Sequence, residues 1–288
     1  MKTIRKILIF TGLEDSSPDV IEYGLTLGLM LGASIKCIYI KPEFVVEEPL
    51  ITESITQEAG TTYKKTILDE RSRLQDLDTL QCLVSVIKES FADIGMQIET
   101  EVKCGEAVDI IMKEGAEWNA DLLVIGMFTN MQPSQNSIVP LDIIRLSKAH
   151  VIVFPSSYGN RSLDKVGVLI QFQFEEIVMV LDMINMAKEN MLEIIFIHPF
   201  IDVEDALEVN RKLKLYYKLF EEDIKSGFIS FKLSAKDYSP IISDFPEKDG
   251  VDLFVTRLNE TWKTNNTSSE FYELLHDIKV PTLFWKDK

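Results

Sequence analysis

Two stretches of equal length decide the fold: DLLVIGMFTNMQPSQNSIVPLDIIRLSKAHVIVF at residues 121–154 and DLFVTRLNETWKTNNTSSEFYELLHDIKVPTLFW at residues 252–285. They align without a gap at a constant offset of 131 residues. Each opens with an aspartate and a continuous apolar run, crosses a polar loop and a helical segment, and closes on a second apolar run. Apolar runs that do not alternate with polar residues belong to strands covered on both faces, as in a parallel sheet.

Upstream of the first copy come a strand KILIFTG (6–12), a helix SSPDVIEYGLTLGLMLGA (16–33), a strand SIKCIYIKP (34–42) and a long segment that turns from polar to helical. A strand QIETEVKCG (97–105) and a helix EAVDIIMKEGAEWNA (106–120) follow. The same order returns before the second copy: VGVLIQF (166–172), EEIVMVLDMINMAKEN (175–190), LEIIFIHP (192–199), the charged helix VEDALEVNRKLKLYYKLFEEDIK (203–225), GFISFKLSA (227–235) and a short helix around 238–245. LEIIFIHP matches SIKCIYIKP down to the closing proline. The expected fold class is therefore α/β, with two tandem doubly wound parallel-sheet domains at residues 1–155 and 163–288. The polar, glycine-containing SSYGNRS at 156–162 reads as the linker.

Composition narrows the function. The chain has 288 residues, 46% hydrophobic and 26% charged, with a net charge of −16. Residues 1–155 hold 14 Lys and Arg against 23 Asp and Glu, and the remainder holds 16 against 23. Neither half offers the clustered cations that phosphate backbones require, so no nucleic-acid partner is expected. No apolar run reaches the length of a membrane span. The opening MKTIRKILIF is broken at Thr11 and Gly12 and followed by Glu14 and Asp15, so it reads as a strand rather than a signal peptide. Cys37, Cys82 and Cys104 lie far apart, a pattern that suits a reducing, cytoplasmic setting. Cys37, inside an apolar strand, reads as a small buried hydrophobe. His150, His198 and His276 share no metal-ligand spacing, and no metal is expected.

Local signals fit this frame. Ser17 reads as an N-cap with Pro18 at the first helical position and Asp19 at the positive helix end. Gly24 and Gly28 share a helix face and would let that helix approach the sheet closely. Leu213, Tyr216, Tyr217 and Phe220 fall near helical spacing, which favours packing over a partner groove. The acidic PEFVVEEPLI at 42–51 reads as a lid or as a plain connection.

The order of these segments resembles the universal stress protein family. KILIFTGLEDSSPDVIEYGLTLG is similar to its first strand, loop and helix. CGEAVDIIMKEGAEWNADLLVIGM resembles its most recognisable stretch, and RLSKAHVIVFP its last helix and strand. The resemblance covers residues 4–155 and, more weakly, 163–286. It implies five strands per domain in the order 3-2-1-4-5, with pairing through the last strands at 150–154 and 282–285. The two halves would then form an internal pseudo-dimer, and a homodimer is a further assembly that this reading allows.

Many members of that family bind ATP, through an aspartate ending the first strand and a G-x2-G-x9-G-[ST] loop after the fourth. Glycines serve there because the backbone must approach the phosphates without a Cβ in the way. In this chain the positions are Gly12 in place of the aspartate, Gly126 at the first glycine, Thr129 at the second, and Ser137 near the closing pair. Glu14 and Asp15 are nearby acids, and Pro133 removes a donor from the loop. In the second half Gln171 stands at the aspartate's position and Arg257 at the strand-four glycine. The loop LNETWKTNNTSSEF has no glycine. Arg257 reads as an anion clamp or, preferentially, as a partner for one of the many acids. No G-x-S-x-G elbow, Walker A loop, G-x-G-x-x-G or H-E-x-x-H is present. The expectation is a cytoplasmic, non-enzymatic stress-response scaffold or sensor with eroded nucleotide sites and no cofactor. The alternative is an ATP-binding regulator with a divergent site in the first half, which leaves room for slow hydrolysis.

Overall fold

The computed structural model describes residues 4–11, 17–41, 58–91, 97–126, 138–155, 158–159, 162–199, 206–234, 238–257, 275 and 277–286. The expectations for Glu14, Asp15, Pro133, His276, the 42–51 stretch, the 258–271 loop and the Ser17 side chain lie outside these residues.

In the first half the described elements are β1 (Lys6–Thr11), α1 (Ser17–Leu31), β2 (Ser34–Lys41), α2 (Glu58–Ser90), β3 (Ile98–Cys104), α3 (Ala107–Glu117), β4 (Leu122–Gly126), α4 (Ile138–Leu146) and β5 (His150–Phe154). In the second half they are β6 (Lys165–Leu169), a 3-10 turn (Phe174–Glu176), α5 (Ile177–Asn190), β7 (Glu193–Pro199), α6 (Ala206–Leu219), α7 (Glu221–Lys225), β8 (Ile229–Ser234), α8 (Tyr238–Lys248), β9 (Leu253–Arg257) and β10 (Thr282–Trp285). All ten strands form one sheet in the order β3-β2-β1-β4-β5-β10-β9-β6-β7-β8. Each half thus has the expected five-strand order, and the two copies meet where β5 and β10 pair antiparallel.

The apolar runs become strands covered on both faces. Ile7, Leu8, Ile9 and Phe10 of β1 and Leu122, Leu123, Val124 and Ile125 of β4 are buried, as are Leu253, Phe254 and Val255 of β9. Cys37 is buried with them, and burial pushes its thiol up to about 12. The aspartate that opens each repeated stretch has a structural task. Asp121 Oδ2 accepts the N–H of Arg5 at 3.0 Å, and Asp252 Oδ2 accepts those of Asp164 and Lys165 at 3.0 and 2.9 Å. In both halves this carboxylate holds the start of the central strand beside the fourth.

α1 lies close on the sheet at Gly24, as expected for that glycine. A Cβ on Gly24 would fall 2.3 Å from Cδ1 of Ile9, a buried atom with little room to move. On the second half's outer region, Tyr216 and Phe220 are buried, with ring centroids 5.8 Å apart, so the aromatic stretch serves mainly in packing. Tyr217 remains 42% exposed. The single charged helix expected at 203–225 is divided at Phe220, whose backbone (φ −116°, ψ 27°) leaves helical geometry as its ring turns inward. α7 resumes beyond it.

At the seam, His150 stacks on Trp285 with centroids 4.0 Å apart, and its Nδ1 accepts the N–H of Lys286 at 3.1 Å. Tyr23 of α1 donates to the carbonyl of Asp252 at 3.5 Å and Tyr158 to the same oxygen at 3.3 Å. Their rings lie 6.3 Å apart and both pack on Phe154, so an aromatic cluster from the first half and the linker caps the second half's fourth strand.

α3 is tied to the outer strands by four charges. Lys36 contacts Glu101 at 2.7 Å and Glu114 at 3.1 Å, and Lys103 contacts the same two carboxylates at 2.5 and 2.9 Å. For Glu114 and Glu101, burial opposes ionisation, but the hydrogen bonds and charges of the two lysines outweigh it and hold both carboxyls below the usual range.

Two predictions follow from these contacts. Gly24→Ala should lower unfolding stability by about 1–3 kcal/mol through overpacking, although alanine is the better helix former by about 1 kcal/mol; chemical denaturation measures it. Carboxyls with folded pKa values below their unfolded ones stabilise above the unfolded value of about 4.3 and lose that contribution as pH falls through the folded values. Glu114→Gln should therefore cost about 2 kcal/mol at neutral pH, between the exposed and buried ion-pair limits. Its urea midpoint should then fall less than the wild type's on acidification from about pH 6 to about pH 3.

Candidate functional site

In an open α/β sheet, ligands bind beyond the carboxyl ends of the strands where the strand order reverses. This chain has two such places, between β1 and β4 and between β6 and β9. The first is where the sequence put its nucleotide positions.

β1 ends in the first half at Thr11, which is buried. β4 ends at Gly126, which pairs with Phe154 of β5. Of the first half's sequence-derived site positions, Gly126 lies among the described residues, and Gly12, Thr129 and Ser137 lie outside them. Its missing side chain has an immediate packing use. A Cβ there would stand 3.1 Å from Cγ2 of Val20 on α1, tighter than ordinary van der Waals contact. The glycine lets α1 settle over the end of β4.

The second mouth is described more fully. β6 stops at Leu169, short of the strand expected to reach Phe172, because Phe172 takes a left-handed conformation with φ 57°. This turn is anchored from below. The Phe172 ring lies 4.6 Å from the His198 ring and 5.0 Å from that of Tyr216. His198 Nδ1 sits 2.8 Å from the carbonyl oxygen of Ile170; the carbonyl can only accept, so this nitrogen carries the proton.

Above the turn, Gln171 and Gln173 are joined by an amide–amide hydrogen bond of 2.7 Å. The Glu176 side chain folds back over them. Its Oε2 accepts the N–H of Gln171 at 2.8 Å and of Gln173 at 3.2 Å, and with Gln173 it closes a reciprocal capping box at the start of the 3-10 turn. Glu176 is only 2% exposed, and burial pushes its carboxyl up against the pull of these N–H groups and of the Arg257 charge. Arg257 donates to Gln173 Oε1 at 3.3 Å. The arginine at the position where the resemblance expects a glycine thus faces a polar cluster built from the chain's own residues. Sequence reasoning missed Glu176; the available signal was a polar residue followed three positions later by glutamate, ahead of an apolar helical run. Among the described residues no group of His, Cys, Asp and Glu is arranged to hold a metal ion.

Fold and mouths together define a class: a tandem pair of doubly wound α/β units joined along their last strands, each with a switch point where its strand order reverses. A sequence profile described as Universal stress protein family matches residues 3–135. By overall fold the chain is similar to a universal stress protein from Archaeoglobus fulgidus, at 14% identity and a TM-score of 0.63, covering 99% of this chain and 97% of that one. It is also similar to the cytoplasmic domain of a prokaryotic cation chloride cotransporter, at 11% identity and a TM-score of 0.54, covering 98% of this chain and 95% of that one. No curated protein matches the chain by sequence. Residues 3–135 thus match the universal stress protein family by sequence, and the chain as a whole shares the fold of the Archaeoglobus fulgidus member.

If packing on Val20 explains Gly126, the two positions should be coupled. Gly126→Ala should destabilise the wild type by about 1–2 kcal/mol and cost less than half of that in a Val20→Ala background. A double-mutant cycle by chemical denaturation measures the difference.

Proposed function

We propose that this tandem universal stress protein is non-enzymatic and acts as a stress-response scaffold or sensor through its surfaces, with its nucleotide positions given up. The observation that carries this reading is the second mouth. There Glu176 takes up the N–H groups of Gln171 and Gln173, and Arg257 replaces a glycine that would let the backbone approach a phosphate. Gly126 supports the same reading in the first half, since its lack of a side chain is already accounted for by Val20. The acidic charge of both halves speaks against a nucleic-acid partner. Among the described residues no helix is long and apolar enough to cross a membrane. We place the protein in the cytoplasm, with its internal seam serving in place of the contact between two separate copies.

An alternative keeps a divergent ATP site in the first half, where Gly126 still ends β4. Calorimetric titration of ligand-stripped protein with Mg-ATP separates the two. The scaffold reading expects no saturable heat. Saturable binding at one site per chain would replace it with the regulator reading.

A further inference from the structure

The turn after β6 holds a charged group of the chain in the place where an α/β sheet receives an anion. Phe172, at φ 57°, stands in a region that a bulky residue rarely adopts, and the N–H groups on either side of it converge on one oxygen of Glu176. Successive N–H groups around a left-handed residue form a concavity suited to an anion. Three features keep the carboxylate there. The N–H bonds satisfy it, they and the Arg257 charge favour its ionised form against the burial that pushes its carboxyl up, and the Phe172 ring is locked between His198 and Tyr216 so that the turn is anchored. The concavity lies at the switch point between β6 and β9.

We propose that Glu176 is a tethered anion that fills this concavity and keeps the second half closed to phosphate-bearing ligands. The proposal rests on the reading above in taking the switch points as the ligand positions, and it adds the device that closes one of them. A phosphate arriving at the same N–H groups must displace the carboxylate, since two anions cannot share them. A competitor attached to the adjoining helix is present at high effective concentration whatever the ligand level.

Glu176→Ala removes the tethered anion and Glu176→Gln replaces it with a neutral group of the same size. Thermal unfolding of both variants and the wild type is followed in chloride, in formate and in inorganic phosphate at matched ionic strength. Phosphate should raise the melting temperature of Glu176→Ala by several degrees more than that of the wild type, and that of Glu176→Gln, which keeps an acceptor but loses the charge, by an intermediate amount. Equal responses in all three proteins overturn the proposal. Stabilisation of Glu176→Ala by formate alone also overturns it, because Glu176 would then be a loop brace in a hollow too small for phosphate. If the alanine variant is unfolded in chloride, the comparison is read from recovery of its folded circular-dichroism signal, and failure of phosphate to restore it counts against the proposal. Wild-type binding of Mg-ATP would overturn the scaffold reading yet leave this comparison intact, because the wild-type response subtracts whatever the first half binds.

Discussion

The antiparallel pairing of β5 with β10 is the interaction on which the architecture depends. Each five-stranded unit ends on a short, fully buried apolar strand, HVIVF in one half and TLFW in the other. Alone, either would be an exposed hydrophobic edge with unpaired backbone groups, a template for aggregation. Paired in the register Thr282↔Val153, Leu283↔Ile152 and Phe284↔Val151, they remove both edges at once. The strands left at the outer ends of the sheet are β3 and β8, and both are partly exposed and carry charges, Glu99, Glu101 and Lys103 in one and Lys232 in the other. Charged side chains blunt an edge against further pairing. The seam therefore explains why the apolar strands lie at the centre of the ten-stranded sheet and the charged ones at its margins.

Much of this was legible in the sequence because it rests on patterns that repeat. The constant offset between residues 121–154 and 252–285 carried the tandem organisation, while the strand order within each half came from the resemblance to the universal stress protein family. Gly24 signalled close packing because a glycine inside an otherwise strong helix needs a reason, and Ile9 supplies it. What escaped the sequence depends on single backbone angles. Nothing in LYYKLFEED shows that Phe220 leaves helical geometry, because its inward turn is decided by the core it meets. Nothing in VGVLIQF shows that Phe172 takes φ 57° and ends the strand three residues early, because His198 and Tyr216, which hold it, come from β7 and α6. Glu176 was lost with it, as one acid among the 46 acidic residues of the chain until the turn brings the N–H groups to it.

The two copies are alike at one end of the sheet and differ at the other. The aspartates that open β4 and β9 stay in both copies and do the same work, bracing the start of the central strand. They concern the amino ends of the strands, where the demands are those of folding. At the carboxyl ends the copies part: glycine at 126 and arginine at 257, one packed against a helix, the other reaching to Gln173. The copies thus agree at the edge that folding braces and differ at the edge where open α/β sheets bind ligands.

Joining both units in one chain has a consequence for how such difference arises. In an assembly of two identical copies, an arginine at the end of the fourth strand would appear at both mouths, and any change would be tested twice in every molecule. Here Arg257 could enter one mouth while Gly126 remained in the other. Covalent linkage breaks the symmetry that a homodimer enforces, and it makes the pairing of the halves independent of how much protein the cell holds. One half can then be specialised or silenced while the other goes on serving as its structural partner.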